Sequence, residues 1–95
     1  MRLTTIQIEA IKRNFKHHFS NGDIYLFGSR VDNQASGGDI DLYIVTEDRE
    51  NIAYKKIQFL VDLKREIGEQ KIDVVLNYDE NRTIEVIAKS KGIKL

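Results

Sequence analysis

The chain has no cysteine and no proline, no surplus of either charge, and no long apolar run. Without cysteine there are neither disulfides nor thiolate metal sites, which fits a reducing compartment. Without proline, element boundaries must be read from hydrophobic period and from glycine. Fifteen basic residues balance fifteen acidic ones. Proteins that live on nucleic-acid backbones carry a clear positive excess, so no direct nucleic-acid binding is expected. No stretch approaches the ~18 apolar residues of a membrane span, and the N-terminus has no signal-type apolar segment. A cytoplasmic protein without membrane attachment is the expectation.

What is present suits one small domain over residues 1–95. Apolar residues make up 41% of the chain and charged residues 32%, a globular rather than a disordered balance. A chain this short buries about 60% of its extended surface, enough for one core and no second lobe.

Thr4 to Gln7 has the form of a capping box, and Ile8, Ile11, Phe15 and Phe19 follow at helical spacing, so an amphipathic first helix ends at Asn21-Gly22. Ile24 to Phe27 is wholly apolar and reads as a buried strand. Gly28 to Gly38 is polar and glycine-bearing, a loop with room for one short helical turn. Asp39 to Val45 alternates as a second strand. From Asn51 to Ile67, Ile57, Leu60, Leu63 and Ile67 mark the inner face of a helix that closes at Gly68. Lys71 to Leu76 is a third strand. Arg82 to Lys91 is a last helix, capped by Asn81 and ended by Gly92, with Ile93 and Leu95 free to pack back. The order predicts an α/β fold: a single small domain with a mixed sheet of at least three strands and helices mainly on one face.

The parity of the acids is informative. Ile40, Leu42 and Ile44 point one way, so Asp39 and Asp41 share the opposite face. Ile72, Val74 and Leu76 likewise leave Asp73 opposite. If both apolar faces bury against the same helices, three carboxylates converge. Two such charges ~4 Å apart repel by about 4 kcal/mol at an effective dielectric of 20, so a cation or a proton must relieve them. Hard oxygen donors without histidine or cysteine suit Mg²⁺ or Mn²⁺, and a pair of such ions clamps the attacking and leaving oxygens of a phosphoryl transfer. Gly28 and Ser29 follow the first strand directly, where a glycine lets backbone approach a phosphate and a serine adds a short donor. An antiparallel first pair and a parallel crossover through the Asn51–Ile67 helix would gather all these groups.

Leu26-Phe27-Gly28-Ser29, then Asp39-Ile40-Asp41-Leu42, then Ile72-Asp73-Val74-Val75 together resemble the DNA polymerase β-like nucleotidyltransferase superfamily. The short length resembles its minimal nucleotidyltransferase branch, the antitoxin partners of HEPN-domain proteins. By that resemblance Asp39, Asp41 and Asp73 would be both catalytic and metal-ligating, holding two Mg²⁺ ions (or Mn²⁺). Asp73 would help deprotonate the attacking hydroxyl. Gly28 and Ser29 would hold the triphosphate of ATP or another NTP, attacked at its α-phosphorus with loss of pyrophosphate. Arg30 either pairs with a phosphate or makes a surface contact. The Gly37-Gly38 pair departs from the single small or polar residue expected before the acids. With nothing left over to hold an acceptor, the resemblance implies one with its own docking surface: a hydroxyl, on tyrosine, of a HEPN toxin bound as a hetero-oligomer. Two alternatives remain at this point, a catalytically silent antitoxin that works by occlusion and a transferase for small molecules.

Plainer readings attach to each group. Acids on a solvated edge strand serve solubility, and it is their combination with Gly28-Ser29 that argues otherwise. Tyr43 shares the acid face and either lines the nucleotide site or packs. His17 and His18 sit where a helix C-terminus favours cations, and Lys55, Lys56, Lys64 and Arg65 read as a solvated helix side.

Overall fold

The computed structural model describes residues 1–32 and 38–95. Gly37, one of the pair noted above, therefore lies outside the described residues. Helix α1, Thr5–His18, begins on the expected capping box, in which Thr4 Oγ1 accepts from the Gln7 N–H and Gln7 Oε1 from the Thr4 N–H. Strand β1, Asp23–Phe27, runs antiparallel to β2, Ile40–Val45, with Leu26 opposite Leu42 and Phe27 opposite Asp41. Helix α2, Ile52–Ile67, crosses over to β3, Ile72–Leu76, which lies parallel to β2 with Asp41 beside Asp73. Helix α3, Thr83–Lys91, leads into a two-residue strand β4, Ile93–Lys94, antiparallel to β1. The sheet order is β3-β2-β1-β4. Ile93 and its neighbours thus do more than pack back, since they add a fourth strand.

One sheet face carries the main core. Ile24, Leu26, Ile40, Leu42, Ile44, Ile72 and Val74 bury against Ile11 and Phe15 of α1 and Phe59 and Leu63 of α2. Ile57 was expected on that inner face, but it is 56% exposed and Phe59 takes the interior position. The reason is geometric: steps of three residues precess by about 60° on a 3.6-residue helix, so Ile57 has rotated well away from Leu63. The second helix is tied to the first by polar contacts at the rim, Asn14 Nδ2 to Glu66 Oε2 at 2.9 Å and His18 Nε2 to Asp62 Oδ2 at 2.8 Å.

Helix α3 packs on the opposite face, the one that carries the acids, where Ala88 meets Phe27 and Tyr43. Asn81 does not cap it. The side chain of Arg82, at the cap position, makes no capping bond, and the incoming turn is instead satisfied by Glu85, which accepts from the N–H groups of Tyr78 and Asp79. Among the described residues no helix is long and apolar enough to cross a membrane.

Candidate active site

Gly28, Ser29 and Arg30 form a 3-10 turn, Gly28–Val31, leaving the end of β1. Because Phe27 is opposite Asp41, the turn emerges beside the start of β2. Gly28 has φ of +76°, and a Cβ there would run into the Asp41 carboxylate. Only glycine takes this left-handed backbone at little cost, so the turn can lie directly against the acid. Gly38, at φ +96°, does the same for Ser29, since a Cβ on it would meet Ser29 Oγ. The Ser29 hydroxyl therefore sits against the residue just before Asp39.

The turn is held from outside. Arg2 donates from Nη2 to the Ser29 carbonyl at 3.0 Å and from Nε to the Asp32 carbonyl at 2.9 Å. Arg30 donates to the carbonyls of Gly38 at 3.2 Å and Arg2 at 2.9 Å, and reaches Gln70 Oε1 at 3.5 Å. In this arrangement its guanidinium braces the Gly-Ser turn, the N-terminus and the segment entering β2 together.

The parallel register sets Asp41 and Asp73 side by side, with neighbouring strands ~4.8 Å apart. Asp39 enters from the residue before β2. Their mutual influence is visible in Asp41, whose carboxyl is pushed up from the ordinary carboxylate range first by burial, then by the charges of Asp73 and Asp39. Lys71 works the other way. Its Nζ lies 3.4 Å from Asp39 Oδ2, and its own pKa is raised by that bond and by the charges of Asp39, Asp73 and Asp41. Lys71 belongs to the constellation and was not singled out from the sequence. The signal was available: Lys71 has the parity of Asp73 and Val75, which puts it on the acid face.

Tyr43 resolves as packing. It is 2% exposed and donates to Glu85 Oε1 at 2.8 Å. Burial, with Glu85 as its acceptor, pushes its phenol up to about 12. Of the histidines, His18 pairs with Asp62 and His17 stacks edge-on against it. Lys55 holds Asp48 at 2.6 Å.

The donor chemistry suits a hard divalent cation: carboxylate oxygens on one face, an acid under repulsive strain, and one exposed lysine as partial relief. Among the described residues no three acidic or histidine side chains are already closed into a ready-made metal site. The three acids share a face without being drawn around a point, and Lys71 stands among them.

No protein of curated function matches the chain. A family model described as Polymerase beta, Nucleotidyltransferase matches residues 9–95, which takes in the Gly-Ser turn, both acid-bearing strands, helices α2 and α3 and all but the first turn of α1. With that match over nearly its whole length, the chain belongs to the polymerase β nucleotidyltransferase family.

Proposed function

We propose that the protein transfers AMP from ATP to a hydroxyl of a partner protein, a tyrosine of a HEPN-domain toxin, and so serves as the antitoxin of that pair. The observation that carries the transferase reading is the register of Asp41 beside Asp73, with the Gly28–Ser29 turn lying against Asp41. Asp39, Asp41 and Asp73 would hold Mg²⁺, as two ions, and the chemistry so supplied is neutralisation of charge on the transferring phosphoryl group. The Gly28 backbone admits the triphosphate closely, and the Ser29 hydroxyl donates to it. Asp73 accepts the proton of the attacking hydroxyl. The acceptor oxygen bonds to the α-phosphorus as the bond to the bridging oxygen breaks, and pyrophosphate leaves with that electron pair.

A protein acceptor is supported by two features. The zero net charge offers little to a nucleic acid. Tyr54, Ile57 and Val61 are exposed at helical spacing along α2, giving a protein partner apolar surface to cover. Incubation with ATP, Mg²⁺ and the partner should yield adenylylated partner, and Asp39→Asn or Asp41→Asn should abolish it. A wild-type protein that binds its partner tightly yet never modifies it would overturn the reading. The second reading, neutralisation by binding alone, draws on the Lys71–Asp39 pair, which already offsets part of the acid charge. An Asp39→Asn variant that still neutralises the toxin would favour it.

A further inference from the structure

Strand β3 ends the sheet, and among the described residues no strand lies beside its outer side. The Ile40 N–H donates to the Lys71 carbonyl at 3.1 Å and the Asn77 N–H to the Ile44 carbonyl at 2.9 Å. In a parallel ladder these two bonds mark the odd-numbered residues as the ones turned toward β2. The N–H and C=O groups of Ile72, Val74 and Leu76 therefore point outward. The Leu76 carbonyl accepts from Arg82 Nη2 at 3.2 Å, which closes the edge at that end. Among the described residues nothing pairs with the outward groups of Ile72 and Val74. Asp73, exposed, stands between them.

A groove of about 460 Å³ continues from this edge, with Val74, Leu76 and Ile84 as apolar floor and Arg49, Lys56 and Arg82 as cations. Arg82 is neutralised by Glu85 at 2.7 Å. Among the described residues Arg49 donates only to the side-chain and main-chain oxygens of Asn77, and Lys56 has no acidic partner. Among the described residues two cations are thus left without an acidic partner beside the open edge of β3.

We propose that this edge and groove bind the acceptor protein, as an extended segment added antiparallel to β3, acidic where it passes Arg49 and Lys56. The inference rests on the transferase reading above and names the part of the acceptor that the site takes. Its geometry follows from the ladder. Segment residues facing Ile72 and Val74 exchange backbone bonds with them. The residue between falls opposite Asp73 in the non-bonded position, with Cα atoms ~4.5 Å apart and side chains on the same face. A hydroxyl residue there is delivered to the acid face beside Asp73 and Asp41, while backbone bonds hold the register and the cations set the polarity. The competing account is that Arg49, Lys56 and Lys71 merely guard an edge against aggregation.

Fluorescence anisotropy of labelled peptides on the full chain, without ATP or metal, separates these. The first probe is a short peptide of Thr and Val around one tyrosine with glutamates at one end; the second has lysines in their place. A third is the first with N-methyl groups on the two residues that face Ile72 and Val74. The glutamate peptide should bind roughly 10-fold more tightly than the lysine one, as two exposed ion pairs allow. N-methylation should remove most of the binding, and Arg49→Glu with Lys56→Glu should invert the preference. Lys56→Glu alone, which disturbs no hydrogen bond, should weaken the glutamate peptide several-fold with an unchanged melting curve. Equal binding of all three peptides overturns the proposal, and so does tighter binding of a short single-stranded oligothymidylate. AMP transfer to a partner with an unchanged KM in the double variant would remove the edge and leave the transferase standing. Peptide binding as described, with no protein ever adenylylated, would remove the transferase and leave the edge.

Discussion

Gly28 illustrates how much of the site rests on a missing side chain. Its φ of +76° and the carboxylate of Asp41 in the place of its Cβ leave no room for alanine. Gly28→Ala should cost roughly 2 kcal/mol from backbone strain alone, a fall in Tm of about 10 °C for a chain of this size. It should also displace Asp41, so transfer is lost even at temperatures where the variant is folded; thermal melts and an activity assay below the transition check both. Lys71 is the opposite case, a side chain that stands where charge must be balanced. Its ammonium lies 3.4 Å from Asp39, and 71% of the side chain is exposed, so it is free to leave. Lys71→Met should lower the metal-free melting temperature, because repulsion among the acids is no longer offset. It should also raise Mn²⁺ affinity roughly threefold, the scale of an exposed pair, measured by the electron paramagnetic resonance of free Mn²⁺. Unchanged or weaker Mn²⁺ binding would mean that Lys71 does not compete for the site.

Among the elements, α3 depends most on a single buried charge. Glu85 is 1% exposed, and burial alone would push its carboxyl up. The Asp79 N–H, the Arg82 guanidinium, the Tyr43 hydroxyl and the Tyr78 N–H outweigh that and hold it at about 2. An acid depressed in the folded state contributes stability at pH values above its ordinary range and loses it as pH falls toward the folded value. Here the loss runs from the ordinary range, near 4.5, down to about 2. Urea unfolding followed across that window should show the decline, and Glu85→Gln should flatten it while lowering stability at neutral pH. The same residue explains what was hidden in the sequence. The inward side of α3 is Glu85 and Ala88, whereas Ile84, Val86 and Ile87 are exposed, so apolar periodicity points the helix the wrong way round. Asn81 looked like a cap because nothing in the sequence reveals that Glu85 folds back onto the turn. Strand β4 is too short to have a period. The acid-bearing strands were legible for the converse reason: alternation between Ile and Asp admits one orientation once a face is buried. The antiparallel entry and parallel crossover followed from needing Ser29, Asp41 and Asp73 at one end of the sheet.

Taken as a whole, the molecule gives up stability at one end of its sheet, and that loss should be recoverable. An acid whose folded pKa is raised, as that of Asp41 is, costs nothing while protonated in both states and destabilises the native state as pH rises from its ordinary range through the raised value. Asp41→Asn, which removes that charge, should therefore raise the metal-free Tm. If the proposed site binds Mg²⁺ with ATP, the order must reverse on loading. Ligand at 100 times its Kd stabilises by about 2.7 kcal/mol, so the wild-type Tm should climb by roughly 10–15 °C with Mg²⁺ and a non-hydrolysable ATP analogue. Chelation should bring it back. The Asn variant, starting higher, should scarcely respond and be overtaken. Differential scanning fluorimetry of both proteins, with and without the ligands, reads the crossing directly. Two curves that shift in parallel would mean that the nucleotide is held away from Asp41, and the acid face would then no longer be its place of binding.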